Sequence, residues 1–146
     1  MNKQNKNICI HVCDDNPVVI EKAIKITKDL LNDERLAAEI VAYEDGNQFT
    51  ERYKERKDEL LILDIDMPGK SGLDILKEFE IHCKNNRVIL LTAYDNLALQ
   101  SLTYGPFQIV RKDLMEIDLE KAIRRFLRIR NDQNAQLKIK EDGIQR

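Results

Sequence analysis

The chain has 146 residues, of which 42% are hydrophobic and 34% charged, and its formal net charge is -2 at pH 7. This length and composition are typical of one globular domain with a short appendage. The charge balance lacks the strongly basic face expected of a nucleic-acid-binding chain, and no apolar run approaches the roughly 20 residues that span a membrane. Residues 1–7 are polar with no signal-peptide core behind them, so we predict a disordered N-terminus and a cytoplasmic protein.

The cysteines and histidines show no pattern typical of a metal or disulfide site. Cys9 and Cys13 lie in one apolar run, and Cys83 stands alone. Their spacing matches neither a zinc framework nor a disulfide framework, so we interpret them as small, reduced core residues. His11 and His82 likewise lack metal-ligand partners. We predict a strand position for the first and a helix end for the second.

Apolar runs and helical periodicities alternate along the chain. The predicted strands are residues 8–13, 36–43, 59–64, 87–92 and 107–111. The predicted helices are residues 17–32, 48–57, 73–84, 94–102 and 114–130. The first helix begins with a cap at Asn16 and a proline at Pro17. Five strands that alternate with helices favour an α/β fold, with a parallel sheet covered by helices on both faces.

Carboxylates follow two of the predicted strands. Asp64 ends the run 59–64, and Asp14 and Asp15 follow the run 8–13. If these strands are neighbours in a parallel sheet, the three side chains converge at one edge. Clustered carboxylates repel one another unless their pKa values rise or a hard cation neutralises them. Because oxygen ligands suit Mg²⁺, we predict a magnesium site at this edge.

Two other strand ends carry a hydroxyl and an ammonium group. Thr92 ends the fourth predicted strand, and Lys112 follows the fifth. A carboxylate that attacks phosphorus needs a metal, a hydroxyl that bonds the arriving phosphoryl oxygens, and a fixed cation. Taken singly, Asp64, Thr92 and Lys112 are more simply interpreted as a turn residue, a strand-forming residue and a solvent-exposed lysine. Their joint occurrence at successive strand ends predicts phosphoryl chemistry at Asp64.

Four segments carry a family resemblance that covers nearly all of residues 7–131. They are residues 12–17, 63–72, 91–94 and 110–112, and the second, Leu-Asp-Ile-Asp-Met-Pro-Gly-Lys-Ser-Gly, is very specific. Through them the chain resembles the receiver domain of two-component response regulators. The resemblance implies a flavodoxin-like (CheY-like) fold with a five-stranded parallel sheet in the order 2-1-3-4-5. It also implies a signalling switch rather than a turnover enzyme.

The resemblance implies a role for each residue of the predicted site. It makes Asp64 the phosphoacceptor, which takes a phosphoryl group from a sensor histidine kinase. The implied Mg²⁺ ligands are Asp14, Asp15, Asp64 and the backbone carbonyl of Asp66. The implied phosphoryl-binding and switch residues are Thr92, Ala93 and Lys112. The receiver domain itself is predicted to span residues 8–131.

Two segments point to a subfamily. Residues 92–99 and 104–112 are similar to the corresponding parts of LytTR-type (LytR/AgrA-like) transcriptional regulators. That similarity implies a phosphorylation-controlled transcription regulator. Whether phosphorylation drives formation of a homodimer stays open.

The sequence of the tail, residues 133–146, predicts a further domain. Leu137 and Ile139 alternate with lysines ahead of Asp142-Gly143, a hairpin turn signal, so the segment is predicted to form a strand and the start of a second. We expect residues 132–146 to be a linker and the beginning of a missing LytTR-type domain, through which a longer protein would contact DNA. The alternative is a stand-alone receiver with a frayed tail.

The chain departs from the family pattern at two positions. Asp113 stands where a proline commonly follows the lysine, and Ile109 replaces an aromatic residue three positions before it. An aliphatic side chain cannot reproduce a rotating ring with a polar tip, so the usual threonine-and-aromatic switch is not assumed. A degenerate receiver that acts only as a docking module is therefore an alternative, although no site residue is lost.

A haloacid-dehalogenase-like phosphatase is the alternative from another class. Asp64 and Asp66 reproduce the nucleophile and general acid of that family. Its acidic metal pair would follow the nucleophile, however, whereas Asp14 and Asp15 precede it. Met67 also stands where a small β-branched residue is expected.

Overall fold

A computed structural model describes residues 8–78, 87–93 and 108–144, with side chains described as far as residue 137. The strands are β1 (Ile8–Cys13), β2 (Ala38–Tyr43), β3 (Glu59–Asp64), β4 (Val88–Thr92) and β5 (Gln108–Arg111). The helices are α1 (Pro17–Asp33), α2 (Gly46–Arg52), α3 (Gly72–Glu78) and α4 (Met115–Ile144), and a 3₁₀ turn spans Lys112–Leu114. The predicted helix 94–102, residues 79–84 of the predicted third helix, Cys83 and His82 lie outside the described residues.

The five strands form one parallel sheet in the order β2-β1-β3-β4-β5. This confirms the predicted flavodoxin-like fold. Every residue of β1, β3 and β4 is buried, as expected for central strands with helices on both faces. One core cluster packs α1 and α4 against the sheet. A second cluster packs α2 and α3 against the other face.

The helix starts follow from local capping. The Asn16 side chain accepts a hydrogen bond from the backbone N–H of Val18 at 2.9 Å, and Pro17 occupies the first turn. α2 begins at Gly46 and ends at Arg52, so the predicted span 48–57 was wrong at both ends. The helix starts earlier because Asp45 acts as the cap and accepts from the N–H of Gln48 at 2.7 Å. It ends earlier because the backbone of Tyr53 is extended, with φ -65° and ψ 130°.

The tail was predicted wrongly as a hairpin, and the predicted helix end at residue 130 was also wrong. α4 continues through this segment to Ile144. Residues 135–141 contain no proline and are mostly strong helix formers, and α4 already provides a nucleus that each added residue extends. A hairpin would instead need a neighbouring sheet to be stable. Within the described residues, no helix is apolar enough over a sufficient length to cross a membrane.

Salt bridges hold α4 against the base of the sheet. The Arg130 guanidinium contacts both carboxylate oxygens of Asp58, at 2.9 Å from Nε and 2.7 Å from Nη2. Arg87 lies 3.5 Å from the same carboxylate and stacks over the Phe126 ring. The orientation of α4 is therefore set at the amino edge of the sheet, as well as by its apolar stripe.

A second polar cluster is buried below the carboxyl edge, between β1 and β3. His11 Nδ1 lies 2.8 Å from the Tyr43 hydroxyl, and Nε2 lies 3.4 Å from Glu59 Oε1. Glu59 also accepts a hydrogen bond from the Tyr53 hydroxyl. The predicted strand position of His11 is confirmed, as is the interpretation of Cys9 and Cys13 as reduced, buried core residues, but the sequence did not indicate this network.

Candidate functional site

The carboxyl ends of the strands bring the predicted acidic residues together. Asp64 is the last residue of β3, and Asp14 directly follows β1. The parallel register pairs the preceding residues, Cys13 and Leu63, so Asp14 and Asp64 come side by side at the same level of the sheet. This confirms the predicted convergence and its cause, the adjacency of two parallel strands.

Lys112 reaches the same point from the end of β5. Its Nζ lies 3.0 Å from Asp14 Oδ2 and 3.1 Å from Asp64 Oδ2. The carboxylates of Asp14 and Asp64 are 0% and 1% exposed, whereas Asp15 is exposed. One oxygen each of Asp14, Asp15 and Asp64 lies within 4.8 Å of the others. Three carboxylates and one ammonium group therefore share one site, in which Asp14 and Asp64 are buried and Asp15 is exposed to solvent.

The electrostatics of the site favour protonation of one carboxyl. Burial, followed by the negative charge of Asp14, raises the pKa of Asp64 to about 7, although Lys112 and the N–H of Asp66 oppose the shift. Burial alone would lower the pKa of the Lys112 ammonium, but Asp14 and Asp64 outweigh burial and hold that pKa above its usual value. The site thus holds more negative charge than its single cation compensates.

The carboxylate oxygens differ in their hydrogen bonding. Asp14 Oδ1 accepts from the N–H of Asn16 at 2.9 Å, and Asp64 Oδ1 accepts from the N–H of Asp66 at 3.1 Å. The buried Oδ2 atoms of Asp14 and Asp64 lie at ion-pair distance from Lys112, but no described residue provides them with a well-aligned hydrogen-bond donor. Two buried carboxylate oxygens that share a single ammonium group fit a cation ligand set, and an all-oxygen set fits Mg²⁺.

The other predicted site residues surround this cluster. Thr92 is buried and ends β4, the strand between those that carry Asp64 and Lys112, and Ala93 follows it and is exposed. Asp66 is exposed in the loop after Asp64. Ile109 is partly buried in β5. The structure therefore brings four predicted residues into one cluster and places Thr92, Ala93 and Asp66 at its border.

The position after Lys112 has its own interaction. Asp113 pairs with the Arg111 guanidinium at 3.2 Å from Nε and 2.8 Å from Nη2. A 3₁₀ turn begins at Lys112 and leads directly into α4. The segment that carries Lys112 is thus ordered by a turn and a local ion pair, without the proline that is common in the family.

Gly72 is a supporting residue that the sequence reasoning missed. A Cβ atom at this position would lie 2.2 Å from the backbone carbonyl oxygen of Asp64, which only glycine avoids. The available signal was a glycine at a loop-to-helix junction, eight positions after the predicted acceptor. Gly72 therefore lets α3 begin in direct backbone contact with the site.

A family model described as the response regulator receiver domain matches residues 10–124. The chain belongs to this family. Receiver domains are switches in signalling by phosphorylation, and they bind Mg²⁺ at an acidic pocket. Membership of this family implies a histidine kinase as partner. This membership favours a signalling switch over the phosphatase alternative.

Two relatives illustrate the range of similarity. Sporulation initiation phosphotransferase F of Bacillus subtilis is 32% identical over 81 residues, which cover 54% of this chain and 64% of the relative. Sensory transduction protein LytT of Bacillus subtilis is 23% identical over 117 residues, which cover 70% of this chain and 48% of the relative. The chain thus spans about half to two thirds of the length of these relatives.

Solved structures share the fold. A response regulator receiver domain protein from Clostridium thermocellum superimposes with a TM-score of 0.66 at 25% identity, covering 85% of this chain and 97% of that chain. Response regulator TrrA from Thermotoga maritima, solved in complex with Mg(2+)-BeF, has a TM-score of 0.62 at 27% identity, covering 80% and 96%.

Proposed function

We propose that this chain is a phosphorylation-activated receiver in which Asp64 is the phosphoacceptor. The observation that carries the proposal is the buried pair of Asp14 and Asp64, each with one oxygen about 3 Å from the Lys112 ammonium. A carboxylate nucleophile for phosphorus needs a fixed cation beside it and a second positive charge to offset neighbouring acids. The first is present in Lys112, and the second would be Mg²⁺.

In this proposal Mg²⁺ is held by Asp14, Asp15, Asp64 and the backbone carbonyl of Asp66. When bound, it would neutralise the clustered carboxylates and the phosphoryl oxygens. Support comes from the two buried Oδ2 atoms without an aligned donor and from the carboxylate oxygens that lie within 4.8 Å of one another. The related TrrA, solved in complex with Mg(2+)-BeF, supports the same ligand chemistry.

The proposed reaction transfers one phosphoryl group. An Asp64 carboxylate oxygen forms a bond to phosphorus as the P–N bond of a kinase phosphohistidine breaks, and the imidazole leaves with the electron pair and takes up a proton. Lys112 pairs with the phosphoryl oxygens, and the Thr92 hydroxyl donates a hydrogen bond to one of them beside Ala93. The phosphoryl group of the product carries a charge of about -1.5 to -2 in place of the charge of the free carboxylate, and the domain converts this change into a changed surface.

We further propose that the chain is the front of a longer LytTR-type transcription regulator. Two LytT proteins, from Bacillus subtilis and Oceanobacillus iheyensis, are among its relatives, and the chain spans 48% of the length of each. DNA would be bound by the part that follows residue 146, and phosphorylation could act through homodimer formation. Reading the natural open reading frame past Arg146 tests this: about a hundred further basic, β-patterned residues support it, and a stop codon there contradicts it.

Intact-mass measurement tests the phosphoacceptor. Purified protein treated with acetyl phosphate and Mg²⁺ should gain one adduct of about 80 Da, the mass of a phosphoryl group. Asp64→Asn should abolish the adduct because it removes the nucleophilic oxygen. Asp66→Asn is the matched control, since it changes an exposed carboxylate two positions away and leaves the proposed carbonyl ligand in place.

Two results would contradict the proposal. An undiminished adduct in the Asp64→Asn variant would remove Asp64 from its role. No adduct on the wild-type protein, with acetyl phosphate or with a phosphorylated histidine kinase, would favour the docking-module alternative.

A further inference from the structure

The loop after Asp64, residues 65–72, is closed tightly against the strand that carries the site; we call it the acceptor loop. A Cβ atom on Gly72 would lie 2.2 Å from the carbonyl oxygen of Asp64. The N–H of Gly72 donates to the carbonyl of Ile65 at 3.0 Å. Both ends of the acceptor loop are therefore anchored at Asp64.

The far side of the acceptor loop packs on the first turns of α2. A Cβ atom on Gly46 would lie 2.2 Å from the carbonyl oxygen of Lys70, so the two backbones touch without an intervening side chain. The Lys70 ammonium lies 3.1 Å from the Thr50 hydroxyl and forms an ion pair with Glu78 of α3. Lys70 thus links the acceptor loop to α2 and α3.

A buried sulfur atom joins the same elements on the inner side. The Cys13 thiol donates to the carbonyl of Asp45 at 3.4 Å, and its sulfur lies 3.8 Å from the Met67 sulfur. Cys13 immediately precedes Asp14, Met67 belongs to the acceptor loop, and Asp45 caps α2. The start of α2 therefore contacts both the end of β1, which leads to Asp14, and the acceptor loop, which follows Asp64.

α2 has few means of holding its position by itself. It has seven residues, of which Gly46 and Phe49 are buried. A helix of this length is unstable in isolation, so its position depends on tertiary contacts. The Phe49 ring packs in the core against Tyr43 and Tyr53, and Gly46 contacts the acceptor loop. Packed contacts of this kind transmit displacement because protein interiors are hardly compressible.

We propose that α2 reports the phosphorylation state of Asp64, moving with the acceptor loop through the contacts of Gly46 and Lys70. This inference rests on the proposed function, because it takes Asp64 as the phosphoacceptor. The surface that changes is the exposed side of α2, which presents Asn47, Glu51 and Arg52. A partner that distinguishes the two states would contact this polar, charged face.

Amide hydrogen exchange on the full chain tests the proposal. Exchange of a peptide covering residues 45–53 is compared before and after treatment with acetyl phosphate and Mg²⁺, and intact mass is recorded on the same samples. Phosphorylation should change exchange in α2 by about threefold or more, while α1 stays unchanged. Mg²⁺ alone serves as the reference, so the effect of the metal is separated from that of the phosphoryl group.

Variants at two lysines test the route. Lys70→Met keeps the chain length but removes the ammonium group that contacts Thr50, and it should at least halve the change in α2 while the mass adduct forms as before. Lys77→Met is the matched control, since this lysine is exposed on α3, and it should leave the change intact.

The outcomes separate this inference from the proposed function. Phosphorylated protein whose α2 exchange is unchanged overturns the inference and leaves Asp64 as the acceptor. An unaltered change in Lys70→Met overturns the proposed route through Lys70. Absence of the mass adduct overturns the proposed function, and this inference with it.

Discussion

The same two strands, β1 and β3, lead to two buried polar clusters, one around Glu59 and one around Asp64. The clusters differ in how well hydrogen-bond donors and positive charges compensate their carboxylates. Glu59 begins β3, and Asp64 ends it. Glu59 accepts hydrogen bonds from the Tyr53 hydroxyl and from the backbone N–H of Arg56, the latter at 2.9 Å, and its Oε1 lies 3.4 Å from a His11 ring nitrogen. Asp64 instead faces Asp14 and shares Lys112 with it.

This difference appears in the direction of the pKa shifts. Burial alone would raise the pKa of Glu59, but contacts with His11, Tyr53 and the Arg56 backbone outweigh it and lower the pKa below its usual value. Burial and the charge of Asp14 raise the pKa of Asp64 to about 7. A buried carboxylate whose charge is matched by donors stabilises the fold, whereas one that shares a single ammonium group with a second carboxylate is ready to bind a cation or a phosphoryl group.

Replacing Glu59 should have the largest effect on stability. Glu59→Gln keeps the side-chain volume but places an amide donor among three donors, so we expect the free energy of unfolding to fall by about 3 kcal/mol. Glu39→Gln is the control: its pair with Arg56 is half exposed, and the loss should stay below about 0.5 kcal/mol. Urea denaturation at pH 7 measures both, and equal losses would contradict the comparison.

Neutralising Asp64 should raise the free energy of unfolding, whereas neutralising Glu59 should lower it. In metal-free protein at pH 7, Asp64→Asn removes the repulsion with Asp14, so the free energy of unfolding should rise by about 2 kcal/mol. Saturating Mg²⁺ should erase this advantage because it stabilises the wild-type protein by binding to the native site. Asp66→Asn should show no such gain. A destabilised, metal-free Asp64→Asn protein would mean that the two carboxylates do not repel each other.

The two clusters should respond oppositely to pH. The folded pKa of Asp64 is raised from 3.8 to about 7, so its contribution to stability is fully present below pH 3.8 and is lost as the pH rises through 7. The folded pKa of Glu59 is lowered from 4.5, so its contribution is present above pH 4.5 and is lost as the pH falls below that value.

Melts in metal-free buffer check the first of these windows. Between pH 5 and pH 7.5, wild-type stability should decline relative to Asp64→Asn by about 2 kcal/mol. The comparison between the two proteins cancels the titration of groups that do not interact with Asp64. A constant difference across this range would show that Asp64 titrates elsewhere.

The smallest change in fold stability is expected at Asp15, which is exposed. Asp15→Ala should alter metal-free stability by no more than about 0.5 kcal/mol, with a slight gain from relieved repulsion. It should nevertheless reduce the rise in melting temperature that Mg²⁺ produces, because it removes one proposed ligand. Glu21→Ala, at an exposed site on α1, should leave that rise intact. If Asp15→Ala does so too, Asp15 is not a ligand.

The sequence was sufficient for features that depend on local pattern. The runs that end at Cys13 and Asp64 read as buried strands because continuous apolar residues followed by turn signals have few other folded forms. Parallel strands share a carboxyl edge, so the meeting of Asp14 with Asp64 followed from the pattern once the strands were neighbours. The prediction for the tail was wrong because it also relied on local pattern alone. Alternation over Leu137 and Ile139 suggested a strand, but a strand needs a partner, whereas α4 could simply continue into this segment.

The features that only the tertiary structure decided depend on residues far apart in the chain. His11 and Glu59 are unremarkable strand residues until β1 lies beside β3 and brings a His11 ring nitrogen to 3.4 Å from the Glu59 carboxylate. This contact and the hydrogen bonds from the Tyr53 hydroxyl and the Arg56 N–H make the buried charge stable. The raised pKa of Asp64 and the contact between Gly46 and Lys70 arise in the same way. Sequence patterns report how a segment folds locally, whereas burial and charge compensation depend on which segments become neighbours.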